Sequence, residues 1–303
     1  MEKEQTPRMQ WFTFKNFEGM FPDDASCLEW LRNYLYPEGI FCKLCQRVTK
    51  HHRTVSRPSY SCDQCGHHVH PTAGTIFHKS STSLKTWFHA IYLMASTRCG
   101  ISAKQIERET GVTYKTAWRM FKQIRTLLDE DKTLSGSVEV DETYMGGKAK
   151  GRTGRPLRGD LIKTPVLGLV ERKGKVIAKV VTDITAKTLV GSVHEYVLPA
   201  STVYTDEYPS YKALTGAPQY THRRINHSEK IYVMGDIHTN SIEGFWSLIK
   251  RGIGGVYHSV SRKFLQSYLD EYAFRYSHRH DTEPMFLTFL RQVAKVESAE
   301  TPA

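Results

Sequence analysis

The sequence has no apolar run long enough to cross a bilayer. Its longest, such as TPVLGLV and KVIAKVV, fall well short of the ~20 residues a membrane-spanning helix needs. No repeat of fixed period and no long low-complexity tract occurs, and the composition is that of a soluble globular protein. The opening MEKEQTPRMQ lacks the basic-then-apolar layout of a secretory signal, so a cytoplasmic protein with no membrane partner is expected. Acidic charge is in deficit: 31 Asp and Glu face 42 Lys and Arg, a net charge of +11. A merely basic protein would share that balance, but several cations cluster with glycine in GGKAKGRTGRPLRGD, a composition suited to contacting phosphates. Nucleic acid is therefore the expected partner. Cysteine is scarce and unevenly spread.

What is present begins with those cysteines. Cys42, Cys45, Cys62 and Cys65 form two C-x-x-C pairs separated by 16 residues. Two knuckles at this separation supply four thiolates to one tetrahedral Zn²⁺ ion, whereas redox pairs are not expected twice in one cytosolic chain. The neighbouring His51, His52, His67, His68 and His70 are not needed as ligands, because four thiolates complete a structural site. Cys27 and Cys99 are expected as small buried hydrophobes. The ribbon either is purely structural or holds a nucleic-acid surface.

Upstream, Asp24 and Ser26 precede Leu28, Trp30, Leu31 and Leu35 at helical spacing. Downstream, LKTWFHAIYLMAS reads as an amphipathic helix; Ser102 then caps AKQIERETG, and Thr113 starts YKTAWRMFKQIRTLL after Gly111. Helix, glycine-bearing turn and basic helix match a helix-turn-helix, with Ile106, Val112 and Trp118 as packing residues and Lys115, Arg119, Lys122 and Arg125 facing DNA. A helical pair that only packs is the alternative. The division expected is a helical segment over 1–40, the ribbon over 41–80, the helix-turn-helix over 81–128, a linker over 129–136, a catalytic domain over 137–290 and a tail over 291–303.

After the linker the pattern changes. SVEVDETYMGG reads as a strand, TPVLGLVERKG and KVIAKVVTDIT as a hairpin, TAKTLVGSVHEYVLP as a helix and STVYTDEYPSY as another strand. A short helix at YKAL, the helix in HTNSIEGFWSLIKRG and the long helical SRKFLQSYLDEYAFRYSHRH follow, giving an α/β layout around a mixed sheet. Asp141 and Asp206 fall at the ends of β-prone runs, where an aspartate is costly to bury unless it caps, turns or serves a site. Glu243 follows Asp206 after 36 intervening residues and shares a helix face with Lys250, seven positions on. Three converging carboxylates suit a pair of Mg²⁺ or Mn²⁺ ions and phosphodiester displacement, with Lys250 and Arg251 near phosphate. Glu142 and Glu207 should point to the opposite side of their strands.

Together DETYMGGK, YTDEY and HTNSIEGFWSLIKR resemble the motifs of DDE transposases of bacterial insertion sequences. FEGMFPDDASCLEWL, the C-x-x-C pairs, GTIFHKSSTSLKTWF and GVTYKTAWRMFKQIR narrow the resemblance to the ISXO-type branch, and the match extends over nearly the whole chain. The resemblance implies a multidomain α+β and α/β protein: zinc ribbon, helix-turn-helix and an RNase H-like mixed-sheet core. It implies that Asp141, Asp206 and Glu243 hold two Mg²⁺ ions, that the element's terminal inverted repeats are cut and joined to target DNA, and that the protein acts as a homo-oligomer on DNA. In that branch asparagine or histidine sometimes replaces the third carboxylate. Asn240, which could share the metal site or start the helix, and His238 therefore stand beside Glu243. A DNA-binding regulator with an inactive RNase H-like relic, or a nuclease without strand transfer, are the competing readings.

Overall fold

A computed structural model describes residues 12–130, 132–146, 163–224 and 240–295. The chain divides into two compact units, residues 1–127 with 281–303, and residues 128–280.

The first unit opens with two capped helices. In α1 (Phe14–Met20) Thr13 and Asn16 form a reciprocal capping box, and in α2 (Asp24–Leu35) Asp23 and Ser26 do the same. The cap of α2 is thus Asp23, one residue before the stretch its sequence pattern suggested. Five short strands follow: β1 (Phe41–Cys42) pairs antiparallel with β2 (Arg47–Val48), while β3 (His51–Arg53), β4 (Tyr60–Cys62) and β5 (His68–Val69) form a three-stranded antiparallel sheet.

Three helices come next: α3 (Leu84–Ser96), α4 (Ala103–Thr110) and α5 (Tyr114–Thr126). Gly111 ends α4 at φ 71°, a left-handed cap that costs glycine little, and Thr113 restarts the chain as the N-cap of α5. The buried stripe of α5 is Ala117, Met120, Phe121 and Ile124, the i, i+3, i+4, i+7 set of one helical face. Trp118 lies off that stripe and is 38% exposed, and Val112 is only half-buried, so neither is the packing residue expected. Arg125 is corrected too. Its α-carbon follows Phe121 by four positions, and its guanidinium carbon lies 3.4 Å from the Phe121 ring centroid, leaving the residue 2% exposed. Arg125 is a core residue, not a DNA contact.

The second unit is built on a mixed sheet. Its strands are β6 (Ser137–Met145), β7 (Thr164–Glu171), β8 (Val176–Val180), β9 (Ser201–Thr205) and β10 (Tyr220–Arg224), in the order β10-β9-β6-β7-β8. β6, β7 and β8 are antiparallel neighbours; β9 runs parallel to both β6 and β10. One face is covered by α6 (Ala186–Tyr196) and the 3₁₀ turn Pro209–Leu214, whose Leu189, Val193 and Tyr211 bury against Val138, Val140 and Leu167. The other is covered by α7 (Asn240–Gly252) and α8 (Arg262–Ser277), with Ile242, Phe245, Trp246 and Leu269 against Val166 and Val170. β7 therefore buries both faces, which is why TPVLGLV is continuously apolar rather than alternating. The edge strand β10 (YTHRR) has one buried residue, Tyr220, and no apolar alternation to reveal it in sequence.

Two expected boundaries move. Leu134, placed in a linker, is fully buried, and its N–H donates to Tyr196 O at 2.8 Å, so this stretch belongs to the second unit. The second unit, expected to reach residue 290, ends at residue 280: α9 (Met285–Val293) belongs to the first unit, where the Phe286 ring lies 4.9 Å from Phe12 and 5.9 Å from Phe21. An aromatic side chain with such partners gains more from that core than from a solvated tail. Among the described residues no helix is long and apolar enough to cross a membrane.

Gly168 faces α7 from β7, and a Cβ there would lie 2.5 Å from Cζ2 of Trp246. Gly168→Val is expected to cost about 1–3 kcal/mol through overpacking. A urea midpoint equal to that of the native protein would refute this.

Candidate active site and metal centre

The four cysteines of the C-x-x-C pairs converge. Their sulfurs all lie within 4.8 Å of one another, with Cys42 and Cys65 at 3.4 Å and Cys45 and Cys62 at 3.9 Å. A tetrahedral ion bound by thiolates at ~2.3 Å sets sulfurs roughly 3.8 Å apart, so the donor set fits Zn²⁺. Each knuckle is the same local turn. Gln46 N donates to Cys42 O and Gly66 N to Cys62 O, both at 2.9 Å, with Gln46 and Gly66 at positive φ. The Thr49 hydroxyl lies 3.2 Å from the Cys62 sulfur and, with backbone N–H groups of the knuckle, pulls that thiol down to about 5, favouring the ligating thiolate. None of the five nearby histidines joins the cluster. His51 is buried with Nδ1 on Thr49 O, and His52 pairs with Asp63. Cys27 is fully buried, its thiol pushed up to about 12 by burial, while Cys99 is half-buried.

The carboxylates belong to the second unit. Asp141 lies in the middle of β6, not at its end, because the strand continues to Met145. Asp206 directly follows the last residue of β9. The parallel ladder ends at the Glu139–Tyr204 pair; Asp141 and Asp206 each follow that pair by two residues, and the charge of Asp206 acts on the Asp141 carboxyl. Asp206 Oδ1 accepts from Tyr208 N at 2.9 Å, a local turn that fixes the chain as it leaves the sheet. Glu243 lies in the first turn of α7, and Lys250 and Arg251 in its last. Asp141, Glu243, Trp246 and Lys250 line one open cleft.

The Trp246 indole N–H donates to Asp141 Oδ2 at 2.9 Å. Helical periodicity puts Trp246 on the apolar face of its helix; its polar edge also fixes the strand carboxylate, and nothing in that periodicity distinguishes the two uses. Burial pushes the Asp141 carboxyl up to about 6; the indole hydrogen bond opposes the rise, and the charges of Asp206 and Glu243 add to it. Glu142 points to the other face, as expected. It accepts from the buried Tyr211 hydroxyl at 2.7 Å, and burial raises it to about 7, with the charges of Asp206 and Asp141 contributing.

Asp141 and Glu243 line the same cleft, and Asp206 lies near enough for its charge to act on Asp141. Among the described residues only the four cysteines have all their ligand atoms within 4.8 Å of one another. Asn240 is the first residue of α7 and exposed, consistent with starting the helix. Arg251 folds back, its Nε donating to Ser247 O at 3.2 Å. His238 and most of the Gly- and Arg-rich stretch after Gly146 lie outside the described residues. Lys115, Arg119 and Lys122 are on exposed positions of α5, beside Tyr114 and Trp118, in the other unit. A residue missed altogether is Glu139, fully buried in β6, whose carboxylate accepts from the backbone at the start of α7.

A family model described as an ISXO2-like transposase domain matches residues 133–277. An uncharacterized protein in transposable element ISH50 of Halobacterium salinarum is 28% identical over 276 residues, covering 84% of this chain and 91% of that protein. An uncharacterized transposase-like protein of Haemophilus influenzae is 30% identical over 123 residues, covering 41% of this chain and 96% of that protein. Likeness to solved structures is distant: a chain of a simian T-cell lymphotropic virus intasome in complex with the PP2A regulatory subunit B56 gamma aligns with a TM-score of 0.32 and 13% identity, over 71% of this chain and 76% of that one.

Metal analysis of the purified protein is expected to return one zinc per chain. Cys62→Ser should lower that occupancy and the thermal midpoint, since structural Zn²⁺ contributes on the order of 10 kcal/mol of apparent binding free energy. A full-strength midpoint in zinc-free protein would exclude a structural role.

Proposed function

The chain belongs to the ISXO2-like transposase family, and on that premise we propose that it cuts DNA at the ends of its insertion sequence and joins the freed 3′-hydroxyl to target DNA. The observation that carries this reading is the shared cleft. The α7 helix, tied to Asp141 through Trp246, carries Glu243 into the cleft that Asp141 lines, and the charge of Asp206, two residues past the last β6–β9 pair, acts on Asp141. The sheet order β10-β9-β6-β7-β8, with a three-stranded antiparallel half and a parallel half, is the arrangement expected of an RNase H-like core.

Asp141, Asp206 and Glu243 are the residues proposed to hold divalent metal. Their hard oxygen donors suit Mg²⁺ or Mn²⁺, and three carboxylates suit a pair of such ions. Bound there, the ions supply activation of a water or a 3′-hydroxyl and neutralisation of the leaving oxygen. The chain itself does the rest. Trp246 holds the Asp141 carboxylate toward the cleft, and Lys250 offers an ammonium to a non-bridging phosphate oxygen. In the first displacement the water oxygen bonds to phosphorus and the P–O3′ bond breaks; in the second the released 3′-oxygen, losing its proton, bonds to a target phosphorus, the target's P–O3′ bond breaks and its 3′-oxygen leaves protonated. Lys115, Arg119 and Lys122 on the solvent face of α5 would track phosphates, with exposed Tyr114 and Trp118 among them. A homo-oligomer on paired element ends follows from the need to process two ends together.

Asp141→Asn or Glu243→Gln is expected to lower cleavage of DNA carrying the element ends by at least ~100-fold with Mg²⁺ or Mn²⁺, while binding to that DNA persists. Native-like cleavage by either variant would refute the assignment. Binding without cleavage by the native protein under every divalent metal would instead favour a DNA-binding regulator. Removing Lys115, Arg119 or Lys122 singly should reduce the slope of log K against log salt by about 1 each, whereas Arg125→Met should leave the slope unchanged. The reverse pattern would place the DNA on another surface.

A further inference from the structure

Glu139 is 0% exposed, in the middle of a strand whose other inward residues are apolar or serve the cleft. Both of its oxygens are engaged. Oε2 accepts from Ser241 N at 2.9 Å and Ile242 N at 3.0 Å, in the first turn of α7, and Oε1 accepts from Arg172 Nε at 2.8 Å. The Arg172 guanidinium carbon in turn lies 4.0 Å from the ring centroid of Tyr204 on β9, and its backbone N–H donates to Ser137 O at the start of β6.

The sequence spacing of these contacts is regular. Glu139 precedes Asp141 by two residues, Tyr204 precedes Asp206 by two, and Ser241 precedes Glu243 by two. Glu139 and Tyr204 are direct cross-strand partners. Because side chains alternate along a strand, Glu139 and Asp141 share a face, as do Tyr204 and Asp206. A second tier of contacts therefore lies one step below the carboxylates and touches each of the three elements that carry them. We propose that Glu139 and Arg172 are positioning residues that lock β6, β9 and α7 in one register and so set the spacing of Asp141, Asp206 and Glu243. The proposal rests on reading those three as the divalent-metal site.

Stability alone does not account for the pair. A buried ion pair stabilises a fold no better than well-packed apolar residues of the same volume, and often less well. What an apolar replacement cannot do is accept two backbone N–H groups, and an anion is also favoured at the positive end of the helix dipole. Glu243 is thus bracketed along α7. The helix is held to β6 by Glu139 before it and by the Trp246–Asp141 hydrogen bond after it. A shift or rotation at the start of α7 would change the carboxylate spacing while leaving the DNA-contacting cations of α5 untouched.

The test uses the full-length chain with Glu139→Gln, which removes the charge, and Glu139→Asp, which keeps it and shortens its reach by one methylene. Folding is checked by circular dichroism and thermal melting. Mn²⁺ binding without DNA, the Mn²⁺ concentration for half-maximal cleavage and the KM for element-end DNA are then measured. The expected result is a rise in the Mn²⁺ requirement of roughly 10–100-fold, as for loss of residues that orient metal ligands, with cleavage recovering at high Mn²⁺ and KM for DNA within about twofold. A folded variant with the native Mn²⁺ requirement overturns the proposal. So does a failure of both variants to fold, which would make Glu139 a residue of the fold rather than of the site. Asp141→Asn separates the two levels: if it still cleaves, the metal-site reading itself fails; if it is inactive while the Glu139 variants behave as native, only the positioning role is lost.

Discussion

The seating of α7 on the central strands is the constraint on which the second unit depends. One helix must cover the sheet with Ile242, Phe245 and Ile249, carry Glu243 and Lys250 to the cleft, and bring the Trp246 indole within hydrogen-bonding distance of Asp141. The close approach is possible because β7 offers Gly168 directly across the ladder from Asp141, where any side chain would collide with the indole. At the helix start, the Glu139 carboxylate replaces the water that first-turn N–H groups would otherwise need. Packing and polar contacts thus act on the same few residues.

The thiol cluster and the cleft carboxylates are built by opposite rules. The four thiols are gathered by two identical local turns, each closed by a residue at positive φ, and every ligand lies within 23 positions of the others. Such a centre is closed, with no position left for substrate, as a structural zinc site requires. The carboxylates come from β6, from the residue that follows β9 and from α7, over some hundred residues, and Asp141 and Glu243 line an open cleft. Crowding them costs free energy, visible in the rise of Asp141 to about 6 through burial and neighbouring charge. Negative charge left unsatisfied in this way favours a bound cation, which would relieve it.

Much of this was legible in the residues. Spacing alone identified the thiolate set, since the knuckle turns are local. The alternation in SVEVDETYM and the 3.6-residue period in SIEGFWSLIK identified the strand and helix that carry Asp141 and Glu243. The readings that failed depended on rotation or on distance. Trp118 and Arg125 exchanged roles because a tryptophan was assumed to pack and an arginine to face solvent, whereas the stripe through Ala117, Phe121 and Ile124 decides otherwise. β10 escaped notice because an edge strand with one buried residue has no period to detect, and α9 because its aromatic partners lie more than 190 positions away.

The sequence by itself determined which chemistry the chain carries: four thiolates at ribbon spacing, a basic helix, and three carboxylates with a lysine seven residues beyond the last. These follow from residue type and short-range period, which a linear pattern records faithfully. Only the tertiary structure decided that Asp206 comes near enough to Asp141 for their charges to interact, that Trp246 grips Asp141, and that the Glu139 carboxylate meets the start of α7 rather than serving as one more strand residue. Strand register and helix seating are settled by contacts between segments remote in the chain, and the free energy of such contacts depends on shapes and distances that no local pattern contains.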